Sequence, residues 1–86
     1  METSLMNLLM ADELNNWDPF RIGGGSYDPE IADAIQAVRE LNDANQLAAR
    51  LQSIYDFSFE QVIPFKECLS VAEKLLSIKN QGSCSL

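Results

Sequence analysis

The chain has 86 residues, enough for one hydrophobic core and too few for two domains of ordinary size. Hydrophobic residues make up 47% of it, a share that argues against a disordered chain. Thirteen acidic and six basic side chains give a formal net charge of -7, and the cations are scattered along the sequence. A nucleic acid or an anionic membrane would repel such a chain, so we expect neither as a partner. An acidic surface suits a basic protein partner instead.

The sequence also indicates where the protein works. The apolar run 5–10 has no basic residue before it and is followed by Asp12 and Glu13, so it does not match a secretory signal peptide. No stretch approaches the roughly 18 consecutive apolar residues that span a bilayer. The two cysteines, Cys68 and Cys84, do not suggest a disulfide framework. These features predict a cytoplasmic protein.

The first predicted helix covers about residues 4–16. Its apolar residues form two adjoining stripes, one of Leu5, Leu8 and Leu9 and the other of Met6, Met10, Leu14 and Trp17. A face this wide is typical of a helix buried between others or docked on a partner, and we expect it to lie in the core. Pro19 disfavours helical geometry in the residue before it, so the helix should stop near Asp18.

The second predicted helix begins at Asp28, Pro29 and Glu30. Aspartate can cap a helix, proline fits the first helical position, and glutamate complements the positive end of the helix dipole. Apolar residues then recur at steps of three and four, and the helix should end near Asn42. A third helix with the same periodicity is predicted over about residues 43–56.

A short helical turn is expected after the third helix. Ser58 and Gln61 have capping-box spacing, and Phe57 and Val62 are placed to pack against each other as a hydrophobic staple. Pro64 should break this turn before the main C-terminal helix.

The C-terminal helix should end near residue 79, which divides the chain into a helical domain, 1–79, and a flexible tail, 80–86. No strand-length alternation of apolar and polar residues occurs, and there is no hairpin signal. The sequence therefore predicts an all-α fold. We expect a small antiparallel bundle of three to four helices, with a long Gly/Pro-containing loop between the first two.

The loop of residues 17–30 contains an aromatic-Asp-Pro triplet twice, around a run of three glycines. Asp18 and Pro19 should open a short turn that Gly23 ends, much as Asp28 and Pro29 open the second helix, so we interpret both triplets as capping motifs. We expect the aromatic side chains to anchor the loop on the bundle. Partner recognition is the alternative, because the loop carries residue types that are frequent at binding hot spots. The candidate partner-binding residues are Trp17, Phe20, Arg21 and Tyr27. Exposure of Trp17 or Phe20 would favour recognition, and burial of both would favour anchoring.

The sequence contains no histidine. This absence removes histidine-activated nucleophiles and the commonest transition-metal ligand, so we predict no catalytic residue, no cofactor and no metal site. Glu30 and Asp33 lie on adjoining turns and could pair as acid and base, but we expect both to be solvated at the start of a helix. Cys68 is expected to be a small core residue.

Several short motifs together resemble a known family. They are Trp17-Asp18-Pro19, Tyr27-Asp28-Pro29-Glu30, Ile54-Tyr55 with Phe57 and Phe59, and Ile63-Pro64 with Cys68. Over about residues 5–79, the chain resembles the YugE-like family of small proteins from Bacillus-type bacteria, whose function is unknown. The resemblance implies a helical fold and a bacterial cytoplasmic protein. It implies no catalytic residue and no partner.

The leading functional hypothesis is a non-enzymatic, acidic, helical protein-interaction module, such as a regulator or an inhibitor with an immunity-like role. The charge of -7, the absence of histidine and the aromatic loop support it. Two alternatives stay open. One is a small ligand-binding protein or enzyme with a pocket near the 17–30 loop, using carboxylates and Arg21. The other is a self-associating structural protein, such as a homodimer.

Overall fold

The computed structural model describes residues 3–23 and 27–84, and this part of the chain forms four helices and no strand. α1 covers Thr3–Trp17, α2 Asp28–Glu40, α3 Ala44–Phe59 and α4 Phe65–Cys84. The connections 41–43 and 60–64 are short, so α2, α3 and α4 are antiparallel to their neighbours in sequence. The predicted all-α bundle is confirmed, with four helices.

The core lies where α4 packs against the other three helices. The largest side chains with less than 2% exposure include Met10, Leu14, Tyr27, Leu47, Leu51, Tyr55 and Leu75. Burying one such apolar side chain contributes about 2 kcal/mol by removing its surface from water. Cys68 is also fully buried, as predicted.

α1 buries only one of its two apolar stripes. Met10 and Leu14 are 1% and 0% exposed and face the bundle. The other stripe, which we call the leucine stripe, consists of Leu5, Leu8 and Leu9, which are 46%, 57% and 36% exposed. The expectation that the whole face packs into the core is wrong for the leucine stripe. The physical reason is that α1 packs mainly on α2 and α4, and nothing in the described chain covers its outer side.

α2 begins at the predicted residues, but Asp28 is not its cap. Tyr27 occupies the N-cap position, and no side chain caps the helix. The Tyr27 carbonyl accepts a hydrogen bond from the Ile31 amide at 2.7 Å. Asp28 is instead the first helical residue, where its charge complements the helix dipole. The prediction of a capping hydrogen bond from the second triplet is therefore wrong.

A lysine from α4 closes the C-terminal end of α2. Lys79 Nζ donates to the carbonyls of Val38 at 2.8 Å and Leu41 at 3.2 Å, and to Asn42 Oδ1 at 2.8 Å. The last carbonyls of a helix lack partners within the helix and carry the negative end of its dipole. The lysine therefore satisfies these carbonyls and ties α4 to α2.

α3 is longer than predicted and ends at Phe59 instead of near Asp56. Tyr55 and Phe59 lie one turn apart on the inner face, and their rings are 6.3 Å apart. Packing of this face keeps the helix intact beyond Asp56. Glu60 then ends α3 in the left-handed conformation, with φ of 55°. Its amide donates a hydrogen bond to the Asp56 carbonyl at 2.7 Å.

The separate turn expected after α3 is not formed. Ser58 lies inside α3 and donates its hydroxyl to Glu30 Oε2 at 3.0 Å, so it does not form a capping pair with Gln61. Phe57 and Val62 are 89% and 67% exposed, which excludes the predicted hydrophobic staple. Both predictions are wrong because they assume a helix end where the helix in fact continues.

α4 begins directly after Pro64, where a break was predicted. The Pro64 carbonyl accepts hydrogen bonds from the amides of Glu67 and Cys68 at 3.0 and 3.3 Å and so starts the helix. The helix continues to Cys84, beyond the expected end near residue 79. The flexibility of residues 80–86 stays a prediction, and residues 85 and 86 lie outside the described part.

Candidate interaction surface at the loop end of the bundle

Residues 18–23 and Tyr27, between α1 and α2, lie at the same end of the bundle as the connection 60–64, and we call this end the loop end. The rings of Phe20 and Phe59 are 4.7 Å apart, and those of Tyr27 and Phe59 are 5.5 Å apart. These contacts join the segment between α1 and α2 to the C-terminal end of α3. The structure therefore brings all four candidate residues to this end: Trp17, Phe20, Arg21 and Tyr27.

Asp18 holds the first half of the loop. Its Oδ1 accepts hydrogen bonds from the Ile22 amide at 3.0 Å and the Tyr27 hydroxyl at 2.5 Å, and its Oδ2 accepts one from the Gly23 amide at 3.1 Å. The Asp18 carbonyl accepts from the Arg21 amide at 3.1 Å. The first triplet thus uses its carboxylate to bond backbone amides, as the capping interpretation predicts. It closes the predicted short turn, in which the hydrogen bonds of Asp18 extend to Gly23.

The backbone of this turn is held in an unfavourable conformation. Asp18, Arg21 and Gly23 have positive φ angles of 37°, 56° and 98°. Residues other than glycine adopt such angles only where surrounding contacts hold them, and the hydrogen bonds to the Asp18 carboxylate supply those contacts here. Glycine carries no such penalty, which suits Gly23 to its position.

Asp18 has a lowered pKa. The Tyr27 hydroxyl is the largest cause, and the amides of Gly23, Ile22 and Arg21 act in the same direction, so that the pKa lies below the usual 3.8 although desolvation opposes it. Each of these donors stabilises the charged carboxylate. The hydrogen-bonded loop and the charge of Asp18 therefore depend on each other.

We expect the stabilising effect of Asp18 to disappear in acid. Because its pKa is lower in the folded chain, the effect is complete above the unfolded-state value near 3.8 and is lost as the pH falls through the folded-state pKa. The free energies of unfolding in urea of the wild type and of Asp18→Asn should therefore differ at about pH 6 and differ less at about pH 2.5. Other carboxylates are common to both proteins and cancel in the comparison. An equal difference at both pH values would contradict this role.

The two buried tyrosines differ in their hydrogen bonding. Tyr27 and Tyr55 are each 0% exposed. The Tyr27 hydroxyl donates to Asp18 and accepts from the Phe20 amide at 3.2 Å. The Tyr55 hydroxyl has no hydrogen-bond partner within the described residues. Burial is the main cause that raises the pKa of each above 10.0, so both hydroxyls stay protonated at neutral pH.

Five aromatic rings form one cluster at the loop end: Trp17, Phe20, Tyr27, Tyr55 and Phe59. The Trp17 ring meets the Tyr55 ring edge-on with centroids 5.2 Å apart. Such geometry is favourable for aromatic pairs. Trp17 and Phe20 are half-buried against the core, and Tyr27 is fully buried. These contacts favour the anchoring interpretation for the three rings, whereas Arg21 is exposed.

Glu30 lies in an environment that differs from the expectation. It is only 8% exposed and accepts the Ser58 hydroxyl, whereas Asp33 is exposed. The expectation that both carboxylates are solvated is wrong for Glu30, because the end of α3 packs over the first turn of α2. The helical spacing of the sequence indicates this burial, because Glu30 lies one turn before Ala34 and two turns before Ala37 on the same face of α2. Both alanines are 0% exposed.

The outer surface of the loop end carries apolar side chains that the sequence did not single out as exposed. They are Ile22 at 50%, Phe57 at 89%, Val62 at 67% and Phe65 at 41% exposure. Phe57 lies two residues from both Tyr55 and Phe59, which places it on the opposite face of α3. The loop end also carries exposed acidic residues, namely Asp28, Asp56, Glu60 and Glu67, and two exposed cations, Arg21 and Lys66.

The described residues bring together little that could bind a metal or act as a nucleophile. No three His, Cys, Asp or Glu side chains cluster in residues 3–23 and 27–84 so as to hold a metal ion. Cys68 is a free, buried thiol, and burial is the main cause that raises its pKa to about 11. A thiol with this pKa is protonated at neutral pH and a poor nucleophile.

A surface groove lies at the opposite end of the bundle from the 17–30 loop. Its lining residues are Leu41, Gln46, Ala49, Arg50 and Ser53. An ion pair between Arg50 and Glu40, 3.9 Å long and about half exposed, adjoins it. The hypothesis of a pocket near the loop gains no support from this groove.

None of the helices, within the part of the chain that the structure describes, has the length and hydropathy needed to cross a membrane.

The four helices place this chain in the class of small all-helical bundles. Comparisons with known proteins identify its family. Residues 9–85 match the family described as a domain of unknown function, DUF1871. The chain is 42% identical over 85 residues to the uncharacterized protein YugE of Bacillus subtilis (strain 168), and the alignment covers 99% of each chain. The chain therefore belongs to the DUF1871 family, and its predicted resemblance to YugE-like proteins is confirmed.

A solved structure of a related protein has the same fold. The crystal structure of APC36109 from Bacillus stearothermophilus is 46% identical to this chain and aligns with a TM-score of 0.90. The alignment covers 92% of this chain and 98% of that one. The four-helix arrangement is thus shared within closely similar sequences.

Proposed function

We propose that this chain is a non-enzymatic, acidic protein-interaction module of the bacterial cytoplasm that binds a basic partner through its loop end. Phe57 carries the proposal. It is 89% exposed, although phenylalanine is among the side chains most often buried. An aromatic side chain held on a regular helix presents a large apolar contact that loses little conformational entropy when a partner covers it.

The charges around Phe57 favour a basic partner. Asp56 and Glu60 are exposed on the same end of α3, and Asp28 and Glu67 add two further acids at the loop end. A negative surface attracts a positively charged partner, speeds the encounter and disfavours acidic competitors. Desolvation of the apolar surface would then supply the affinity.

The loop contributes to this surface at its edge. Trp17 and Phe20 are half-buried anchors, and their remaining exposed surface adjoins exposed Arg21 and Ile22. Tyr27 is 0% exposed and acts through its hydrogen bond to Asp18, which holds the turn in shape. We therefore assign partner contact to Arg21 and the exposed parts of Trp17 and Phe20, and a positioning role to Tyr27.

The titratable groups of the loop end and core support a non-enzymatic role. The pKa of Asp18 is lowered, and the pKa values of Tyr27, Tyr55 and Cys68 are raised. General acids and bases work best when their pKa lies near the ambient pH. All four shifts move away from neutrality, as expected of groups whose hydrogen bonds or burial serve the fold.

Affinity capture with matched variants tests the proposal. Wild-type protein, Phe57→Gln and Leu8→Gln are immobilised and exposed to lysate of the bacterium that encodes the chain, and bound proteins are identified by mass spectrometry. Leu8 is the control because it is also an exposed apolar helix residue, at 57%, but lies on α1. Binding of the captured partner to each variant is then measured by calorimetry.

We expect a basic partner that binds the wild type and Leu8→Gln alike and binds Phe57→Gln at least about tenfold more weakly, as for a hot-spot residue. Raising the salt from about 0.05 to about 0.5 M should weaken the complex, since it screens opposite charges. Equal binding by Phe57→Gln, or a partner that is acidic, would contradict the proposal.

A further inference from the structure

We propose that the leucine stripe of α1 is an interface at which two copies of this chain associate, with their α1 helices antiparallel. This stripe lies on a different helix face from the loop end and does not rest on the function proposed above. Its three leucines occupy positions i, i+3 and i+4 and remain exposed while Met10 and Leu14 of the same helix are buried. Single exposed leucines are ordinary, but three on one face form a continuous apolar strip.

The charge around the stripe indicates which partner fits. Residues 3–11 contain no charged residue, although the chain as a whole has a net charge of -7. Along the leucines themselves a basic partner would find no ionic contact, and only Asp12 follows on this face, so charge complementarity favours an uncharged, apolar surface. A second copy of the chain presents such a surface with the same shape and extent, which is the condition for a two-fold symmetric interface.

Asp12 determines the relative direction of the two helices. It lies seven residues after Leu5, on the same face, and is exposed. Parallel helices would place the two Asp12 carboxylates side by side. In an antiparallel pair centred on Leu8, Asp12 of one copy lies opposite residue 4 of the other. The two carboxylates are then offset by about 12 Å along the helix axis, which exceeds the Debye length of about 8 Å at physiological salt.

Glu13 does not oppose this arrangement. Its carboxylate pairs with Lys74 of α4 at 3.5 Å, so its charge is turned towards the chain's own bundle. Asn7 is likewise engaged, since its Oδ1 accepts a hydrogen bond from Arg39 Nη2 of α2 at 2.6 Å. Glu13 and Asn7 are thus bound within one chain, and the leucines stay available.

The expected dimer is weak and responds to salt in a characteristic way. One 15-residue helix offers less than the roughly 800 Å² per partner of a standard interface, so we expect a dissociation constant on the order of 10–100 µM. Both copies are acidic, and salt screens their mutual repulsion without weakening the apolar contact. Self-association should therefore strengthen with salt, opposite to binding of a basic partner at the loop end.

Sedimentation velocity from about 10 µM to about 1 mM protein, at low and high salt, tests the interface. We expect the wild type to approach the dimer mass with rising concentration, and Leu8→Gln to associate at least about tenfold more weakly. Phe57→Gln is the matched control and should dimerise as the wild type does. Circular dichroism verifies that each variant is folded. A wild type that stays monomeric throughout, or a dimer that survives Leu8→Gln, would overturn the interface.

Cysteine cross-linking tests the helix direction. In a Cys84→Ser background, Leu8→Cys should form a disulfide-linked dimer on mild oxidation, because the two copies of residue 8 meet at the two-fold axis. Leu5→Cys should not, because residue 5 lies opposite residue 11 of the other copy. Efficient cross-linking at both positions would show parallel helices and overturn the antiparallel arrangement. The outcome of partner capture with Phe57→Gln does not affect the sedimentation or the cross-linking result. Self-association through α1 and partner binding at the loop end can therefore fail separately.

Discussion

A Leu14→Ala variant is expected to lose about 2–5 kcal/mol of its free energy of unfolding, because the truncation removes buried methyl groups and leaves a cavity. Leu14 is 0% exposed and lies in the stripe by which α1 packs on the bundle. The total stability of a domain of this size is on the order of 5–10 kcal/mol. Urea unfolding followed by circular dichroism should therefore show a strongly lowered midpoint with an unchanged slope.

Leu5→Ala on the same helix is the matched control. Leu5 is 46% exposed, so the same truncation should change the free energy of unfolding by less than about 1 kcal/mol. Both variants are compared at micromolar protein concentration, where self-association does not contribute. Similar losses at the two positions would show that α1 buries both stripes and would contradict the position of this helix.

Conservative substitutions of the two buried tyrosines are expected to differ in their effect on the free energy of unfolding. Tyr27→Phe should lower the free energy of unfolding by about 1–2 kcal/mol, because the Phe20 amide loses its acceptor and the Asp18 carboxylate loses a donor. Tyr55→Phe should be neutral or stabilise the fold by up to about 1 kcal/mol, because it removes a buried hydroxyl that has no hydrogen-bond partner within the described residues. Thermal and urea unfolding of both variants and the wild type measure the difference.

Each tyrosine variant serves as the control for the other, since both delete one oxygen from a side chain that is 0% exposed. A further measurement separates the hydrogen bond from packing. In Tyr27→Phe, the pKa of Asp18 should rise towards 3.8, because the largest cause of its lowering is gone, and carboxyl-carbon NMR titration can follow it. An unchanged Asp18 pKa, or a destabilised Tyr55→Phe, would contradict these hydrogen-bond assignments.

The segment between α1 and α2 contains both buried anchoring residues and exposed residues. Asp18 and Tyr27 hold the turn from inside, and Phe20 packs on Phe59 of α3. With the turn held in this way, Arg21 and Ile22 stay on the surface. The sequence indicated a choice between an anchored loop and a binding loop, whereas the structure separates the buried residues from the exposed ones.

Part of the candidate surface could not be predicted from local sequence. The aromatic loop residues were identifiable by their types and their spacing. For Phe57 the local pattern instead predicts a hydrophobic staple, because Ser58 and Gln61 imitate a capping pair. Whether that motif acts depends on where α3 ends, and α3 ends only after Phe59 has packed against the aromatic rings of the loop.

The sequence by itself determined the helical class, the family, the stripe patterns of the helices and the break at Pro64, because helix periodicity and proline stereochemistry act over a few residues. Tertiary structure alone decided which stripe of α1 is buried, since both stripes are apolar and only the neighbouring helices distinguish them. It also decided the hydrogen bond from Ser58 to Glu30 and the closure of α2 by Lys79, because the groups that meet there are separated by 28 to 41 residues. Such contacts depend on packing geometry that no local pattern encodes.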